Sequence, residues 1–254
     1  MTDSPIAVVV DEQHVATVEI RRPPNNFFSL DMLTGIAEAL ERLDDDPTCR
    51  AVVLCSQGKH FCAGADFPGR GEGTGRTEDV YAAAVRMFRT GTPIVAPVQG
   101  AAIGGGLGLA LAADFRIAAP EARFSANFAR LGFHQGFGLS ETLPRLVGVQ
   151  AAAELLYTGR RVKGEEAVAI GLADRLVPFD DVRAAAHTLA VEIARSAPLA
   201  VRSIRATLRG DLADRVEAAT AHELVEQTRL RATADFAEGT RAMVERRDPE
   251  FRGR

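Results

Sequence analysis

Three consecutive glycines, Gly104-Gly105-Gly106, constrain this chain more than any other feature. They lie in the run Gly100-Ala-Ala-Ile-Gly104-Gly105-Gly106-Leu-Gly108, which leads into Leu109-Ala-Leu-Ala-Ala-Asp114. A β-like apolar segment, Pro93 to Gln99, precedes the run, and a short apolar helix pattern follows it. Glycine loses more conformational freedom on folding than any other residue, so a triplet between strand and helix implies a close backbone approach. A helix starting there points free N–H groups and its positive dipole end into the turn, an arrangement that holds an oxyanion or a phosphate.

Nucleotide-binding fingerprints do not account for the run. G-x-G-x-x-G from Gly104 would need glycine where Leu109 stands, and no G-x-x-x-x-G-K-[ST] occurs. Nor is there a G-x-S-x-G elbow or a histidine pair at metal spacing, so no metal is expected. Alone, the glycines read as a packing device more readily than as a site. A second small-residue loop, Phe61-Cys-Ala-Gly64-Ala65-Asp66, follows the apolar strand pattern Ala51 to Cys55 and changes that balance. Two such loops can converge so that two backbone N–H groups meet at one oxygen.

At 254 residues, 46% of them hydrophobic, the chain can bury a full core. Its net charge of −4 gives no reason to expect nucleic-acid binding. Cys49, Cys55 and Cys62 are odd in number and lack metal spacing, which points to a reducing cytoplasm. Cys62 reads chiefly as a small residue in a tight loop, with a nucleophilic thiol as the alternative. No secretory leader is read at the start, where Asp11, Glu12 and His14 interrupt the apolar pattern. Thr90 to Ala113 is uncharged and long enough to span a bilayer, but Pro93, Pro97, Gln99 and its glycines favour a buried strand, turn and helix.

Ile6 to Val10 and Val15 to Ile20 are predicted as strands, the second ended by Pro23 and Pro24. Ser29 is the expected N-cap of a helix with Leu33, Ile36, Ala37 and Leu40 on one face. The glycine- and charge-rich stretch 68–79 is expected to be mobile. A helix over Tyr81 to Phe88 and a strand at Phe115 to Ala118 complete an alternation that predicts an α/β core with parallel pairing. Beyond Asp180 the pattern is helical, punctuated by Pro198, Gly210 and Gly239, as in an appendage packed on the core or on neighbouring subunits.

Together these segments resemble the enoyl-CoA hydratase/isomerase superfamily, also called the crotonase family. The resemblance runs from Arg22-Pro-Pro-Asn-Asn26 through Phe61-Cys-Ala-Gly-Ala-Asp66 and Pro93 to Asp114. It continues through Leu131-Gly132, Thr158-Gly159, Glu166-Ala167 and Gly171-Leu-Ala-Asp-Arg-Leu-Val-Pro178, and closes with Glu245-Arg246-Arg247 and Phe251. It implies an α/β spiral of ββα repeats over residues 1–195, carrying an acyl-CoA site, and a C-terminal helical region, 196–254, that assembles homotrimers, often paired into hexamers. The implied ligand is an acyl-CoA thioester, with coenzyme A as part of the substrate and no separate cofactor. The family's oxyanion hole maps onto the backbone N–H groups of Ala65 and Gly105. Ala63, Asp66, Phe67 and Pro68 would line the CoA-binding stretch, with Pro68 where the family often has a basic residue.

The same alignment exposes three vacancies. Family hydratases hold the added water with two glutamates, whose positions fall on Gly108 and Phe128. The aspartate used by some dienoyl isomerases and dehalogenases falls on Gly136. A general acid or base contributes about 10²–10⁴-fold and an oxyanion donor about 10²–10³-fold. A chain lacking the acids is therefore expected to hydrate poorly while still binding acyl-CoA and stabilising an enolate.

His134, in Gly132-Phe-His-Gln-Gly136, and Glu141 are the remaining acid–base candidates. The competing reading of His134 is an imidazole satisfied by backbone; that of Glu141 is an acid favoured by the dipole of a helix opening after Ser140. Asp66 and Asp114 read as structural hydrogen-bonders. Phe128, Phe133 and Phe137 either line an apolar acyl pocket or belong to the core. The expected activity is oxyanion or enolate stabilisation on a thioester. A non-catalytic acyl-CoA-binding or carrier protein is the alternative, and a standard hydratase is third on chemistry.

Overall fold

The computed structural model describes residues 5–65 and 75–254. Strands β1 (Ile6–Val10) and β2 (Val15–Ile20) pair antiparallel, and the Asp11 carboxylate between them accepts the Gln13 and Val15 amides. Helix α1 (Leu30–Asp45) opens at Ser29, whose Oγ accepts from the Met32 N–H, a cap worth about 1 kcal/mol. Leu33, Ile36, Ala37 and Leu40 are all buried, as their helical spacing predicts.

The chain continues through β3 (Ala51–Ser56), α2 (Thr77–Arg89), β4 (Ile94–Val98), β5 (Ala101–Ile103), α3 (Gly105–Ala112), β6 (Phe115–Ala118) and β7 (Arg123–Ser125). A long helix α4 (Leu139–Thr158), broken by non-helical backbone at Gly148, leads to β8 (Val162–Lys163), α5 (Gly164–Ala169) and β9 (Arg175–Leu176). Helices α6 (Val182–Ala194), α7 (Pro198–Arg209), α8 (Leu212–Arg231) and α9 (Ala234–Glu245) follow.

A six-stranded sheet has the order β1-β2-β3-β4-β6-β9, parallel from β2 onward. A three-stranded sheet has the order β5-β7-β8. Successive units place one strand in the large sheet, the next in the small sheet, and then a helix: β4–β5–α3, then β6–β7–α4. This is the expected α/β spiral of ββα repeats. Its parallel strands are buried on both faces, which is why Ala51–Ser56 and Ile94–Val98 are apolar along almost their whole length rather than alternating.

Three local expectations change. The stretch 68–79 ends in helix, because α2 begins at Thr77; residues 68–74 lie outside the described residues. Glu78 and Asp79 are the exposed first turn of α2, where acids complement the dipole, while Val80, Tyr81, Ala84 and Phe88 turn inward. Gly239 does not punctuate the C-terminal helices; it sits within α9 and lets that helix lie on Leu131, whose carbonyl carbon would be 2.5 Å from an added Cβ. Helix α4 starts one residue before Ser140, with Gly138 as its cap in left-handed backbone at φ +73°.

The helices beyond residue 195 fold back on the core. Helix α8 lies against α2 and α4, and α9 lies on the turn Ala129–Leu131. Leu212 and Val216 of α8 join the main apolar core. Asp114, at the end of α3, accepts the Ile94 amide and the Nε groups of Arg205 and Arg209, tying α7 to the large sheet. Among the described residues no helix is long and apolar enough to cross a membrane. Thr90–Ala113 is instead strand, strand and helix.

Candidate active site

The two small-residue loops lie side by side. Cys62 N–H donates to the Ala101 carbonyl at 2.9 Å, and Ile103 N–H to the Cys62 carbonyl at 3.1 Å, forming a parallel bridge between Cys62 and Ala102. Two glycines allow this approach. A Cβ at Gly106 would collide with the Cys62 carbonyl, and one at Gly100 would lie 2.7 Å from His60 Nδ1. His60 Nδ1 accepts the Ala101 N–H at 3.2 Å, and burial pushes the imidazole pKa down, keeping that nitrogen available as an acceptor.

Asn26 fixes the other side of the loop. It is fully buried in left-handed backbone at φ +49°, and its Nδ2 donates to the carbonyls of Gln57 and His60. Its Oδ1 accepts the Arg22 amide, and Phe28 N–H donates to the Gly64 carbonyl. Ala65 and Gly105 each stand three residues beyond the Cys62–Ala102 bridge, with Ala65 itself bridged to Phe28. Both are half-buried, whereas Gly104, Gly106 and Gly108 are buried. Among the described residues neither amide donates a hydrogen bond, and Gly105 is the first residue of α3. Gly105 is thus an open donor at a helix N-terminus, and Ala65 an open donor on the neighbouring loop.

Behind them the side-chain space is full. A Cβ at Gly108 would lie 2.6 Å from Phe137 Cβ and Cδ1, and a Cβ at Gly105 would lie 2.5 Å from Phe28 Cε1. The Phe28 and Phe137 rings meet edge to face with centroids 6.0 Å apart. A Cβ at Gly136 would collide with the Tyr81 hydroxyl and lie 2.6 Å from Gln227 Nε2. Phe128 packs on Phe133 at 5.4 Å, and Phe133 packs on Phe236 of α9 at 5.2 Å. Phe128, Phe133 and Phe137 are all buried rings.

The loop carrying these positions is clamped by α2 and α8. Glu223 accepts the amides of Gly138 at 2.8 Å and Ser140 at 2.9 Å, while Gln227 Nε2 donates to the His134 carbonyl at 2.9 Å. The Tyr81 hydroxyl packs against Gly136, and burial, reinforced by the Glu223 charge, pushes the phenol pKa up. It stays a neutral phenol.

His134 is half-buried, with Nδ1 2.9 Å from the Gln135 carbonyl and its ring 5.8 Å from that of His222. Glu141 lies 3.2 Å from Arg215 Nε of α8. Among the described residues no hydrogen bond or ion pair links either candidate to the Ala63–Ala65 or Gly104–Gly106 segments. Ala63 is half-buried and donates its N–H to the Asn25 carbonyl. Asp66, Phe67 and Pro68 lie outside the described residues. The nucleophilic reading of Cys62 is overturned: the thiol is fully buried, and desolvation pushes its pKa up to about 12. Two cavities, about 520 Å³ between α9 and the C-terminal tail and about 160 Å³ beside Arg116 and Arg209, lie away from these loops.

The sequence reading missed Asn26, Phe28, Tyr81, Glu223 and Gln227. A signal for two of them was present. Leu212, Val216, Thr220, Glu223 and Gln227 all share the buried face of α8, so the polar pair continues an apolar stripe. Buried polar groups at such positions need partners, which here are the loop amides and a carbonyl.

Comparison with known proteins decides the family. The family model described as enoyl-CoA hydratase/isomerase matches residues 11–254. This chain belongs to the enoyl-CoA hydratase/isomerase family. A Thermus thermophilus relative with a provisional enoyl-CoA hydratase name is 36% identical over 253 residues, covering 96% of this chain and 100% of the relative. The crystal structure of a carnitinyl-CoA hydratase from Mycobacterium avium superposes with a TM-score of 0.90 at 32% identity, over 100% of both chains. An enoyl-CoA hydratase/isomerase structure from Pseudoalteromonas atlantica gives 0.87 at 31% identity, over 98% of this chain and 100% of that one. The likeness spans the enoyl-CoA hydratase/isomerase fold from end to end, C-terminal helices included.

Proposed function

We propose that this chain binds an acyl-CoA thioester and stabilises its enolate, or a tetrahedral oxyanion, with the backbone N–H groups of Ala65 and Gly105. The observation that carries the reading is that Ala65 and Gly105, whose amides donate no hydrogen bond among the described residues, stand at equal steps beyond the bridge between the two loops. Two preorganised donors at one thioester oxygen lower the cost of charge developing there. Relatives named for enoyl-CoA and carnitinyl-CoA chemistry support the ligand class. Gly108, Phe128 and Gly136 are assigned to the family's acid positions, so paired-glutamate hydration is not the proposed reaction. His134 is the first candidate for proton transfer and Glu141 the second. Ala63 and residues 66–68 are assigned to the CoA-binding stretch.

A non-catalytic acyl-CoA carrier is the second reading. The Glu141–Arg215 ion pair favours it, because an acid engaged by a guanidinium is poorly disposed to accept a substrate proton. We also propose assembly as a homotrimer or a pair of trimers, to which the exposed Leu199, Ile204 and Leu208 of α7 are suited.

Incubation with a panel of acyl-CoAs in D₂O, read by mass spectrometry, tests the assignment. Exchange of the α-proton or product formation supports the enzyme, and loss of exchange in His134→Ala identifies the base. Binding with neither exchange nor turnover on any thioester supports the carrier. Absence of binding overturns both.

A further inference from the structure

Phe137 adopts left-handed backbone, φ +63°, between Gly136 and Gly138. That region is uncommon for a bulky residue and costs of order 1–3 kcal/mol, so it persists only where the surroundings impose it. Here they do. Glu223 holds the Gly138 and Ser140 amides, Gln227 holds the His134 carbonyl, and the Tyr81 hydroxyl packs against Gly136. Glycine would meet the backbone requirement without strain, yet the position carries a ring. That ring stands on Gly108, and its Cδ2 would be 3.5 Å from a Cβ at Gly105, while Phe28 covers Gly105 from the other side. The two rings close the space directly behind the half-buried Gly105 amide.

Resting on the assignment of Ala65 and Gly105 as the thioester oxygen's donors, we propose that Phe137 sets the acyl-size limit of the site. A thioester whose oxygen rests on those amides meets the Phe28–Phe137 wall within its first carbons. The site therefore accepts short acyl groups such as acetyl and rejects medium chains such as octanoyl. The clamp from α2 and α8 makes the wall rigid, so the limit does not relax through loop movement.

Isothermal titration of the full chain with acetyl-CoA and octanoyl-CoA tests this, in wild type and in Phe137→Gly, which suits the observed φ. Misfit of apolar groups in a pocket discriminates by about 10–200-fold, so wild type should prefer acetyl-CoA by at least about tenfold. Phe137→Gly should shift the ratio of octanoyl-CoA to acetyl-CoA affinity towards octanoyl-CoA by at least about tenfold. Should that variant fail to fold by circular dichroism, Phe137→Leu carries the test and should shift preference in the same direction by a smaller factor. An unchanged preference in the folded variant, or a wild type that binds octanoyl-CoA as well as acetyl-CoA, overturns the inference and leaves the oxyanion assignment standing. Failure of wild type to bind either thioester overturns the assignment itself.

Discussion

Replacing Gly108 by alanine adds one methyl group where Phe137 Cβ and Cδ1 would lie 2.6 Å away and Cγ 2.7 Å. Carbon atoms pack best at about 3.5–4.0 Å, so the neighbour would have to retreat by roughly 1 Å. The colliding set includes the Phe137 Cβ, so rotating the ring does not relieve it, and the backbone on either side is held by Tyr81 packed on Gly136 and by Glu223 accepting the Gly138 amide. Two effects oppose each other. Glycine to alanine inside a helix gains about 0.5–1 kcal/mol, whereas overpacking a tight core costs about 1–3 kcal/mol. The collision wins, leaving a net loss of about 1–2 kcal/mol. For a chain of this size that lowers the melting midpoint by about 2–8 °C. Thermal unfolding at a fixed protein concentration measures it, because subunit association would make the midpoint concentration-dependent. The double variant Gly108→Ala/Phe137→Gly should recover part of the loss, with a coupling of about 0.5–3 kcal/mol. A raised midpoint in Gly108→Ala, or strictly additive effects, would refute the packing argument. One consequence bears on function: a glutamate grafted at 108 has no room until Phe137 is cut back.

Glu223→Gln should lower the urea midpoint by the equivalent of about 1–3 kcal/mol with an unchanged m-value, because glutamine turns an NH₂ group towards one of two buried amides; no change would show that the loop is held by other means. Burial pushes the carboxyls of Asp11 and Glu19 up, but hydrogen bonds from His187 to Asp11, and from Arg183 and Arg21 to Glu19, outweigh it and hold them below their ordinary 3.8 and 4.5. Their stabilisation is therefore full above those values and is lost as pH falls through the lowered ones. The difference in urea midpoint between wild type and Arg183→Met should persist at neutral pH and shrink on acidification below about 4; growth of the difference in acid would contradict this. Desolvation pushes the Cys49 thiol up to about 11 and that of Cys62 to about 12. A thiol reagent such as DTNB should thus leave all three cysteines unlabelled at pH 8 until denaturant is added, and prompt labelling of the native protein would show an open loop.

Local rules carried much of the architecture. The Ser29 cap, the buried stripe of α1, the strand at Phe115–Ala118 and the strand–glycine–helix unit follow from periodicities of two and 3.6 and from capping chemistry. Those rules act within a few residues, and where they conflicted with burial they misled. The charge at Glu78 and Asp79 suggested a mobile stretch, but it is the outer turn of a helix whose inner face is apolar. Gly239 looked like a break, although its missing side chain serves a helix resting on Leu131.

The sequence alone determined that backbone comes close to something at Gly100–Gly106, that no acid stands at Gly108, Phe128 or Gly136, and that strands and helices alternate. Composition and local pattern suffice for such statements because each depends only on which residue occupies a position and on its immediate neighbours. Tertiary structure alone decided what Gly106 approaches, which is the Cys62 carbonyl. It also placed Ala65 and Gly105 at equal steps beyond the bridge between the two loops and filled the space beside Gly108 with the Phe137 ring, clamped by Glu223 from far along the chain. Those are pairings between distant segments, stabilised only when the whole core closes, and no local periodicity encodes them.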